Sequence, residues 1–533
     1  MATVTAPASK ARPWQGELQV PAALTRVPSW LWVGAFTLAL LAASAAIRTY
    51  FISGQLWMDE AITIGISSHP LGQIPGLLRH DGSPPLFYLL LHFWMLAFGM
   101  GEAATHALTL LFGLLTIPLG LWAGWSLFGR RVGLYAAVLF AFNAFLSQYA
   151  QETRMYELMG LLGLLATTAF MHAFVFRRRG YLVLFVASLA LMLYTHAWGI
   201  FYAAATGLTV LLLMRFSERP LALLRDGVIS YLAAGALFAP WIPNFIFQAT
   251  HTGAPWAAPP RFGAPILLSR DVLGGDRVTA AMALGTLAGF IGVGLRPRRR
   301  SVEAQALWAL LAIPILTLAL AWIASQLNPA FVARYFAPVL GAILLLVAWG
   351  FARAGVLGAL ALIATVAFLV NPTTVAPGYK SDMRDVAAEM GPRLHPGDLV
   401  ISAQPEQVPL SWYYLPAGLR FASTIGPVRD PTYMNWVNAL PRLEAARPAA
   451  VLPPLIDSLH RGQQLLYIRP LTLGAENWKA PWTRLIRRRA AQWGAILQAD
   501  VRRGLLRAVA VAPAALHKAC CVADSAVLYE KVS

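Results

Sequence analysis

The residues best suited to chemistry are two adjacent carboxylates, Asp59 and Glu60, in the segment LWMDEAITIG shortly after the first long apolar run. Ionisable groups beside apolar segments are energetically costly and tend to mark chemistry or ion pathways. A carboxylate can accept a proton from a hydroxyl group that attacks an electrophile, so the pair is a candidate general base. A solvated loop explains an isolated Asp-Glu pair equally well, and the residues that accompany the pair decide between the two.

The composition is that of a membrane protein with many spans. Of 533 residues, 58% are hydrophobic and 12% are charged, and the mean hydropathy is +0.59, whereas soluble domains have about one-quarter charged residues. The net charge of +18 would suggest nucleic-acid binding in a soluble protein, but here the arginines cluster between apolar runs, as they do in cytoplasmic loops. The basic charge therefore indicates topology and no nucleic-acid partner.

A possible signal-peptide cleavage site near the start of the sequence and two cysteines near its end are candidate signs of processing and of disulfide bonding. Lys10, Arg12 and Arg26 precede an apolar run containing AASAA, which faintly resembles a signal-peptide cleavage site. Because many apolar segments follow, we interpret the run as a retained first span. Cys520 and Cys521 are the only cysteines and are neighbours, so the sequence predicts no disulfide framework.

The arginine clusters set the orientation of the apolar runs through the positive-inside rule. If the run PPLFYLLLHFWMLAFG from Pro84 does not cross, the clusters 130–131 and 177–179 both lie inside; if it crosses, both lie outside. The run is also shorter than the about 20 residues that a span needs. We therefore predict a helix at the membrane interface or only partly inserted.

The same orientation of the apolar runs places every strong arginine cluster between spans on the cytoplasmic side, including the cluster 296–300. It predicts an all-α polytopic membrane protein of about eleven transmembrane helices, with interfacial helices in the first outer loop. The N-terminus is then cytoplasmic and the C-terminus extracytoplasmic. The predicted location is the cell (plasma) membrane.

The composition changes after Asn371, since 31 of the 66 charged residues fall in the last 162 positions. Short β-rich runs, DLVISA and QQLLYIRP, alternate there with helix-like stretches at 384–391 and 485–503, a pattern typical of an α/β domain. No fixed-period repeat or nucleotide-binding glycine loop is present in the sequence, which argues against a nucleotide-fuelled pump. Three parts are predicted: a cytoplasmic tail (1–29), a transmembrane core (30–371) and an extracytoplasmic α/β domain (372–533).

The predicted topology brings a set of polar residues to the outer face, although none of them was used to set that topology. Besides Asp59 and Glu60 they are Arg79-His80-Asp81, SQYAQETRMYE (147–157), THAW (195–198) and NPAFVARY (328–335). The convergence indicates an outward-facing polar site.

Each of these residues also has an ordinary structural explanation. A helix-start cluster that satisfies its own charges explains Gln151, Glu152 and Arg154. Against this, Glu152 and Tyr156 share one helical face at i, i+4. His196 is, in the simpler interpretation, a packed interfacial histidine. Arg334 can place its guanidinium among lipid headgroups, or it can pair with a phosphate, which its planar fork suits.

An outer cavity with carboxylates on one side and cations on the other is compatible with glycosyl transfer. A carboxylate can deprotonate an acceptor hydroxyl as it attacks an anomeric carbon, while arginine or histidine stabilises a phosphate leaving group. Nucleotide sugars are absent outside the membrane, so the activated sugar would arrive on a lipid phosphate.

Several stretches, in this order, resemble the bacterial polyprenol-phosphate-dependent glycosyltransferases of the C-type superfamily, close to the protein O-mannosyltransferase and aminoarabinose-transferase group. They are WMDEA, SPPLFYLLLHFW, SLFGRRVGLYAAVLFAFNAFLSQYAQETRMYEL, YTHAWG and RYFAPV. The resemblance covers about residues 30–370, and its specific part is the pair DEA and SQ-x-x-Q-E-x-R-M-Y at this spacing.

The resemblance implies a helical core with an outer-face active site, and an appended soluble domain. It implies that Asp59 is the general base or acceptor-orienting carboxylate, with Glu60 beside it in the catalytic pair. The substrate-binding residues that we expect are His80, Asp81, Gln151, Glu152, Arg154, Tyr156, His196, Arg334 and Tyr335. The family usually has a histidine before the Pro-Pro pair where this chain has Ser83, which leaves the role of His80 open and suggests a different acceptor.

The leading hypothesis is an integral membrane glycosyltransferase, hexosyl or pentosyl. It would move a sugar from a polyprenyl-phosphate donor to a glycan, lipid or protein acceptor, with inversion. The alternatives are a transporter or lipid flippase, for which no repeat pattern is found in the sequence, and a scaffold whose C-terminal domain binds a partner. No cofactor is required by this chemistry. A divalent metal on Asp59 and Glu60 stays open, although no ligand cluster of fixed spacing is present in the sequence.

Overall fold

The computed structural model describes residues 29–292, 301–370, 380–472, 479–513 and 522–533. It comprises a core of apolar helices and a C-terminal α/β domain, as predicted for the fold class. The predictions that concern the N-terminal tail, the cluster 296–300, the boundary at 371 and the two cysteines lie outside the described residues.

The core consists mainly of apolar helices. Their bounds are α1 Ser29–Arg48, α2 Met58–Ser67, α3 Ile74–Asp81, α4 Leu86–Phe98, α5 Glu102–Phe128, α6 Arg130–Phe142, α7 Ala144–Tyr149, α8 Tyr156–Phe170, α9 Tyr181–Thr195, α10 Gly199–Met214, α11 Pro220–Phe238, α12 Ile242–His251, α13 Ala264–Leu273, α14 Asp276–Gly292, α15 Val302–Leu327, α16 Ala337–Arg353 and α17 Val356–Leu369. Within the described ranges, six helices are long and apolar enough to cross a membrane, and four more are apolar but shorter. The number of crossings therefore stays a prediction.

Large apolar side chains cover the outside of the core. Leu232 of α11, Ile315 of α15 and Ile363 of α17 are all exposed. Apolar patches of this extent are costly in water and suit contact with lipid tails. The exposed face supports the assignment of a polytopic membrane protein.

Two segments differ in detail from uninterrupted spans. The helix α4, which lies within the Pro84 run, has 13 residues and is therefore about 20 Å long, short of the about 30 Å of a bilayer core. The apolar run from Gly133 to Gln148, which follows the arginine cluster 130–131, is divided between α6 and α7. The side chain of Asn143 accepts a hydrogen bond from the N–H of Leu146 at 3.2 Å and caps α7. A capping asparagine begins a new helix at this point.

Close packing of α8 against α16 sets the geometry of one side of the site. A Cβ atom on Gly163 would lie 2.4 Å from the carbonyl oxygen of Pro338, and one on Gly341 would lie 2.7 Å from the Cα of Leu164. Small residues let helix backbones approach this closely. The contact holds the N-terminal end of α8 next to the residues that precede α16.

The C-terminal α/β domain is built on one six-stranded mixed sheet. Its strands are β1 Leu399–Ser402, β2 Arg420–Ser423, β3 Gly426–Val428, β4 Gln464–Thr472, β5 Leu506–Ala512 and β6 Val522–Lys531, in the order β3-β2-β1-β4-β6-β5. β1 is parallel to β2 and β4, and the other pairs are antiparallel. Its helices are α18 Met383–Met390, α19 Val408–Tyr414, α20 Ala439–Ala445, α21 Pro448–Asp457 and α22 Pro481–Arg502.

One face of this sheet is covered by α22. Trp493 and Leu497 of that helix are buried with Ile401 and Leu465 of the sheet, and the hydroxyl of Tyr467 donates to the carbonyl of Ala490 at 2.7 Å. The predicted runs DLVISA and QQLLYIRP contain β1 and the start of β4, and the stretch 485–503 lies mostly in α22.

The helix α2 lies between the core and the C-terminal α/β domain. From Glu60 to Ser67 every residue of α2 is buried, and the ring of His69 hydrogen-bonds the hydroxyl of Thr432 at 2.8 Å. A Cβ on Gly65 would lie 1.9 Å from the carbonyl oxygen of Thr432. Glycine at this position therefore permits the close approach of the domain to α2.

We expect Gly65→Ala to weaken this contact, because the added methyl group must displace main-chain atoms. Overpacking of this kind costs about 1–3 kcal/mol and should lower the thermal unfolding midpoint of the purified protein and speed limited proteolysis. Gly76→Ala in α3 is the matched control, since nothing lies within 4 Å of a Cβ at that position. Equal unfolding midpoints for the two variants would contradict the close approach.

Candidate active site

The site is built around the N-terminal end of α2, where the two adjacent carboxylates have different environments. Glu60 is fully buried, whereas the side chain of Asp59 is 20% exposed. The main-chain N–H of Trp57 donates to Glu60 Oε2 at 3.1 Å. Only Asp59 is thus open to a substrate.

Glu60 is held by groups from three other parts of the chain. Its Oε1 accepts from His106 Nε2 and from the main-chain N–H of Thr153, both at 2.7 Å. The ammonium of Lys380 lies 2.8 Å from Oε1 and 2.7 Å from Oε2. A buried carboxylate needs such partners, because an unpaired buried charge is costly.

These partners keep Glu60 ionised. Burial acts to raise the pKa of Glu60, but the charge of Lys380, followed by the charge and hydrogen bond of His106, outweighs burial and lowers that pKa below its usual range. Glu60 is therefore a fixed negative charge that ties α2 to α5, to the loop before α8 and to the C-terminal α/β domain.

Asp59 faces a guanidinium enclosed by aromatic rings. Arg334 Nη2 lies 3.6 Å from Asp59 Oδ2, and the Arg334 guanidinium carbon is 5.1–5.6 Å from the ring centroids of Trp57, Trp256 and Tyr335. Aromatic faces attract a cation and hold its orientation. The arrangement presents a carboxylate and an oriented guanidinium side by side.

Arg154 approaches Asp59 from the other direction. Its Nη1 donates to the main-chain oxygen of Asp59 at 3.3 Å and to the hydroxyl of Thr63 at 2.7 Å, and it lies 3.4 Å from the hydroxyl of Tyr88. That hydroxyl donates to Asp81 Oδ2 at 3.3 Å. Burial, more than any other factor, raises the pKa of Asp81.

Glu152 is a second carboxylate at the site and has free hydrogen-bonding capacity. It is buried, and its Oε1 atom has no hydrogen-bond partner in the structure. Burial and then the charge of Glu60 raise the pKa of Glu152, Lys380 and Arg334 lower it, and the result is a pKa of about 7. Glu152 is therefore protonated more readily than an ordinary glutamate.

Aromatic side chains line the side next to α8 and α16. The ring of Tyr156 packs against those of Tyr149, His196 and Tyr335 at centroid distances of 5.0, 6.2 and 6.2 Å, and the hydroxyl of Tyr156 is buried without a partner. His196 Nδ1 accepts from the N–H of Trp198 at 3.2 Å.

His196 is neutral in this setting. Burial, followed by the charges of Arg154 and Arg334, lowers the pKa of His196 to about 3. Because Nδ1 is an acceptor, the ring proton lies on Nε2. His196 can therefore meet a phosphate as a hydrogen-bond donor but adds no positive charge.

The remaining predicted residues hold the loops around the site. Gln151 Oε1 accepts from the N–H of Phe51 at 2.7 Å. The carbonyl of His80 accepts from the N–H of Trp436 at 2.9 Å and so ties α3 to the C-terminal α/β domain. The structure thus brings Asp59, Glu152, Arg154, Tyr156, Arg334 and Tyr335 together, whereas the contacts of Gln151 and of the His80 main chain are structural.

Sequence reasoning missed three polar residues of this region. His106 and Lys380 contact Glu60 as described, and Glu406 is a buried residue whose Oε1 accepts from Trp482 Nε1 and Gln404 Nε2 at 2.8 Å each. The sequence contained one sign that Lys380 is unusual: it is the only lysine between Lys10 and Lys479.

The residues present do not favour a metal shared by the carboxylate pair. Both oxygens of Glu60 are engaged by protein donors, which leaves Asp59 alone. No group of three or more His, Cys, Asp or Glu residues that could hold a metal occurs in the described parts of the chain.

No protein-family model matches the sequence, and a search of curated proteins gives no significant match. Among solved structures, ArnT from Cupriavidus metallidurans in the apo state matches with a TM-score of 0.60 at 14% identity, covering 95% of this chain and 98% of that chain. The same protein bound to undecaprenyl phosphate gives a TM-score of 0.46 at 14% identity, covering 94% and 98%. The Archaeoglobus fulgidus oligosaccharyltransferase in the apo form gives 0.44 at 14% identity, covering 71% and 63%.

At this level of identity the likeness to apo ArnT establishes the fold. This chain is therefore a polytopic membrane protein with the fold of ArnT, in which a core of apolar helices precedes a C-terminal α/β domain.

Proposed function

We propose that this chain transfers a sugar from a polyprenyl-phosphate donor to an extracytoplasmic acceptor, with Asp59 as general base. The observation that carries the proposal is the partly exposed Asp59 carboxylate 3.6 Å from the guanidinium of Arg334. A base for the acceptor and a cation for the phosphate are the two groups that this transfer needs. ArnT, whose fold the chain shares, has been crystallised bound to undecaprenyl phosphate.

The proposed reaction is a single displacement. The acceptor oxygen attacks the anomeric carbon while its proton passes to the carboxylate of Asp59. The bond between that carbon and the phosphate oxygen breaks, and the electron pair leaves on the polyprenyl phosphate. Attack opposite to the leaving group inverts the anomeric centre.

The site residues then have separate roles. Arg334 stabilises the phosphate charge that grows as the bond breaks, and Arg154 adds positive charge beside the main chain of Asp59. Neutral His196 and the hydroxyl of Tyr156 are hydrogen-bonding groups for the donor. The burial of Glu60 does not suit contact with a substrate, so we assign Glu60 a positioning role in place of the catalytic role expected from its sequence.

The extracytoplasmic location of the site is part of the proposal. The site lies at the first residues of α8 and near the start of α5, whereas Arg130 and Arg131 follow α5 and Arg177 to Arg179 follow α8. Arginine clusters mark cytoplasmic ends of spans. The opposite helix ends, and the site with them, then face the outside.

The test is donor turnover by the purified full-length protein. We expect release of polyprenyl phosphate from at least one member of a panel of hexosyl and pentosyl polyprenyl phosphates, and no turnover of nucleotide sugars. Asp457→Asn, on an exposed residue of α21, is the control for a carboxylate-to-amide change outside the site. Folded protein that turns over no donor with any glycan, lipid or protein acceptor would refute the proposal.

A further inference from the structure

We propose that Lys380 is a positioning residue through which the C-terminal α/β domain completes the site, an inference that rests on the proposed function. A single side chain from the start of that domain fixes the two core segments that carry Asp59 and Glu152. The domain is then part of the catalytic machinery, and its removal leaves an incompletely ordered site.

The ammonium of Lys380 has as many acceptors as it has protons. A lysine ammonium has three N–H donors. Its Nζ lies 2.8 Å from Glu60 Oε1, 2.7 Å from Glu60 Oε2 and 2.7 Å from the carbonyl oxygen of Gln151. This satisfied geometry is what a half-buried charge needs in order to be stable.

Lys380 contacts Glu60 and Gln151, and each of them is adjacent in sequence to a residue of the site. Glu60 follows Asp59 in α2, and Gln151 precedes Glu152 in the loop before α8. The separation in sequence is 320 residues between Lys380 and Glu60 and 229 between Lys380 and Gln151. Lys380 therefore joins α2 to the loop before α8, although no hydrogen bond links it to Asp59 or Glu152 themselves.

The segment that follows Lys380 is hydrogen-bonded to the loop before α2. The hydroxyl of Ser381 donates to the carbonyl of Leu56 at 2.7 Å. Arg384 donates from Nη2 to the carbonyl of Ser53 at 2.9 Å and pairs with Glu102. These contacts dock the domain without touching Glu60, so the chain itself supplies a control that separates docking from positioning.

Lys380 also sets the charge balance around Glu152. The ionisable groups that act on Glu152 are Glu60, Lys380, Arg334, Asp59 and Tyr149. Since the charge of Lys380 lowers the pKa of Glu152, loss of that charge should raise the pKa. Any limb of the pH–rate profile that Glu152 controls should then move to higher pH.

The variants to compare are Lys380→Met, Lys380→Arg and the docking control Arg384→Met. For Lys380→Met we expect kcat to fall by up to roughly 10²-fold, the cost of a misplaced catalytic group, and the pH profile to move up by roughly 1 unit. Lys380→Arg keeps the charge and should keep the wild-type pH profile. Arg384→Met should lower only the thermal unfolding midpoint.

The double variant Glu60→Gln/Lys380→Met removes both charges of the buried pair. We expect it to unfold at a higher temperature than Lys380→Met and to recover part of the lost kcat, since it removes the buried carboxylate that has lost the ammonium of Lys380. This variant keeps the inference testable if Lys380→Met is poorly folded. A double variant no better than Lys380→Met in either measurement would contradict a role exerted through Glu60.

An infrared titration separates this inference from the proposed function. The protonated-carboxyl band that disappears in Glu152→Gln is followed against pH in detergent, with no substrate present. An upward shift of its midpoint in Lys380→Met, and not in Arg384→Met, supports the inference even if no donor is turned over. An unchanged midpoint together with an unchanged pH–rate profile would overturn it while the proposed function stands.

Discussion

Asp59→Asn is expected to lower kcat for sugar transfer by roughly 10²–10⁴-fold, the usual contribution of a general base. The amide keeps the size of the side chain but cannot accept the acceptor proton. The Asp59 carboxylate lies 3.6 Å from Arg334, the residue proposed to contact the donor phosphate. Its replacement by an amide therefore removes a negative charge close to that phosphate. Binding of polyprenyl phosphate should therefore be retained or strengthened while turnover falls.

The measurement is single-turnover transfer together with direct binding of polyprenyl phosphate to the purified protein, in wild type, Asp59→Asn and the control Asp457→Asn. A fall in turnover with intact lipid binding assigns the base. Full transfer activity in a folded Asp59→Asn protein would show that another group takes the proton, and Glu152, with its unpartnered Oε1, would be examined next.

Arg334→Met is expected to lower kcat/KM by roughly 10²–10³-fold, the cost of losing one preorganised group that stabilises developing charge. The guanidinium is held between the rings of Trp57, Trp256 and Tyr335, so its orientation is set before the substrate arrives. Arg334→Lys restores the charge without the planar fork and should recover only part of the activity. Binding of polyprenyl phosphate should weaken in both variants.

The control residue is Arg353, which lies at the opposite end of α16 from Arg334. Arg353 ends α16 and pairs with Glu303 in a largely exposed contact, which contributes little to stability. Arg353→Met should therefore leave transfer and lipid binding unchanged. If Arg334→Met behaved in the same way, Arg334 would be a structural residue of the interface.

The sequence predicted well those features that depend on neighbouring residues. Hydropathy over about 20 residues locates α1, α5 and α15, and the change of composition after Asn371 precedes the C-terminal α/β domain. The sequence also singled out Asp59, Arg154 and Arg334, because polar groups at the ends of apolar runs are few and stand out. The structure places them close together, and their roles stay predictions. Each of these features can be identified from residues that are close together in the sequence.

What the sequence could not distinguish is the difference between Asp59 and Glu60. The two are adjacent carboxylates, and either could be the accessible one. The choice follows from the rotation of α2, which is set by His106, Thr153 and Lys380. The division of the apolar run 133–148 at Asn143, where one side-chain hydrogen bond caps α7, is likewise not detected by hydropathy.

The sequence by itself determined a polytopic helical core, a C-terminal α/β domain and a short set of polar candidates at one end of the helices. Only the tertiary structure decided that Asp59 lies beside Arg334, that Glu60 is enclosed, and that the C-terminal α/β domain supplies Lys380 to the site. The physical reason is that helix formation and apolar burial are governed by residues close in sequence. A contact between side chains hundreds of residues apart depends on how every intervening element packs.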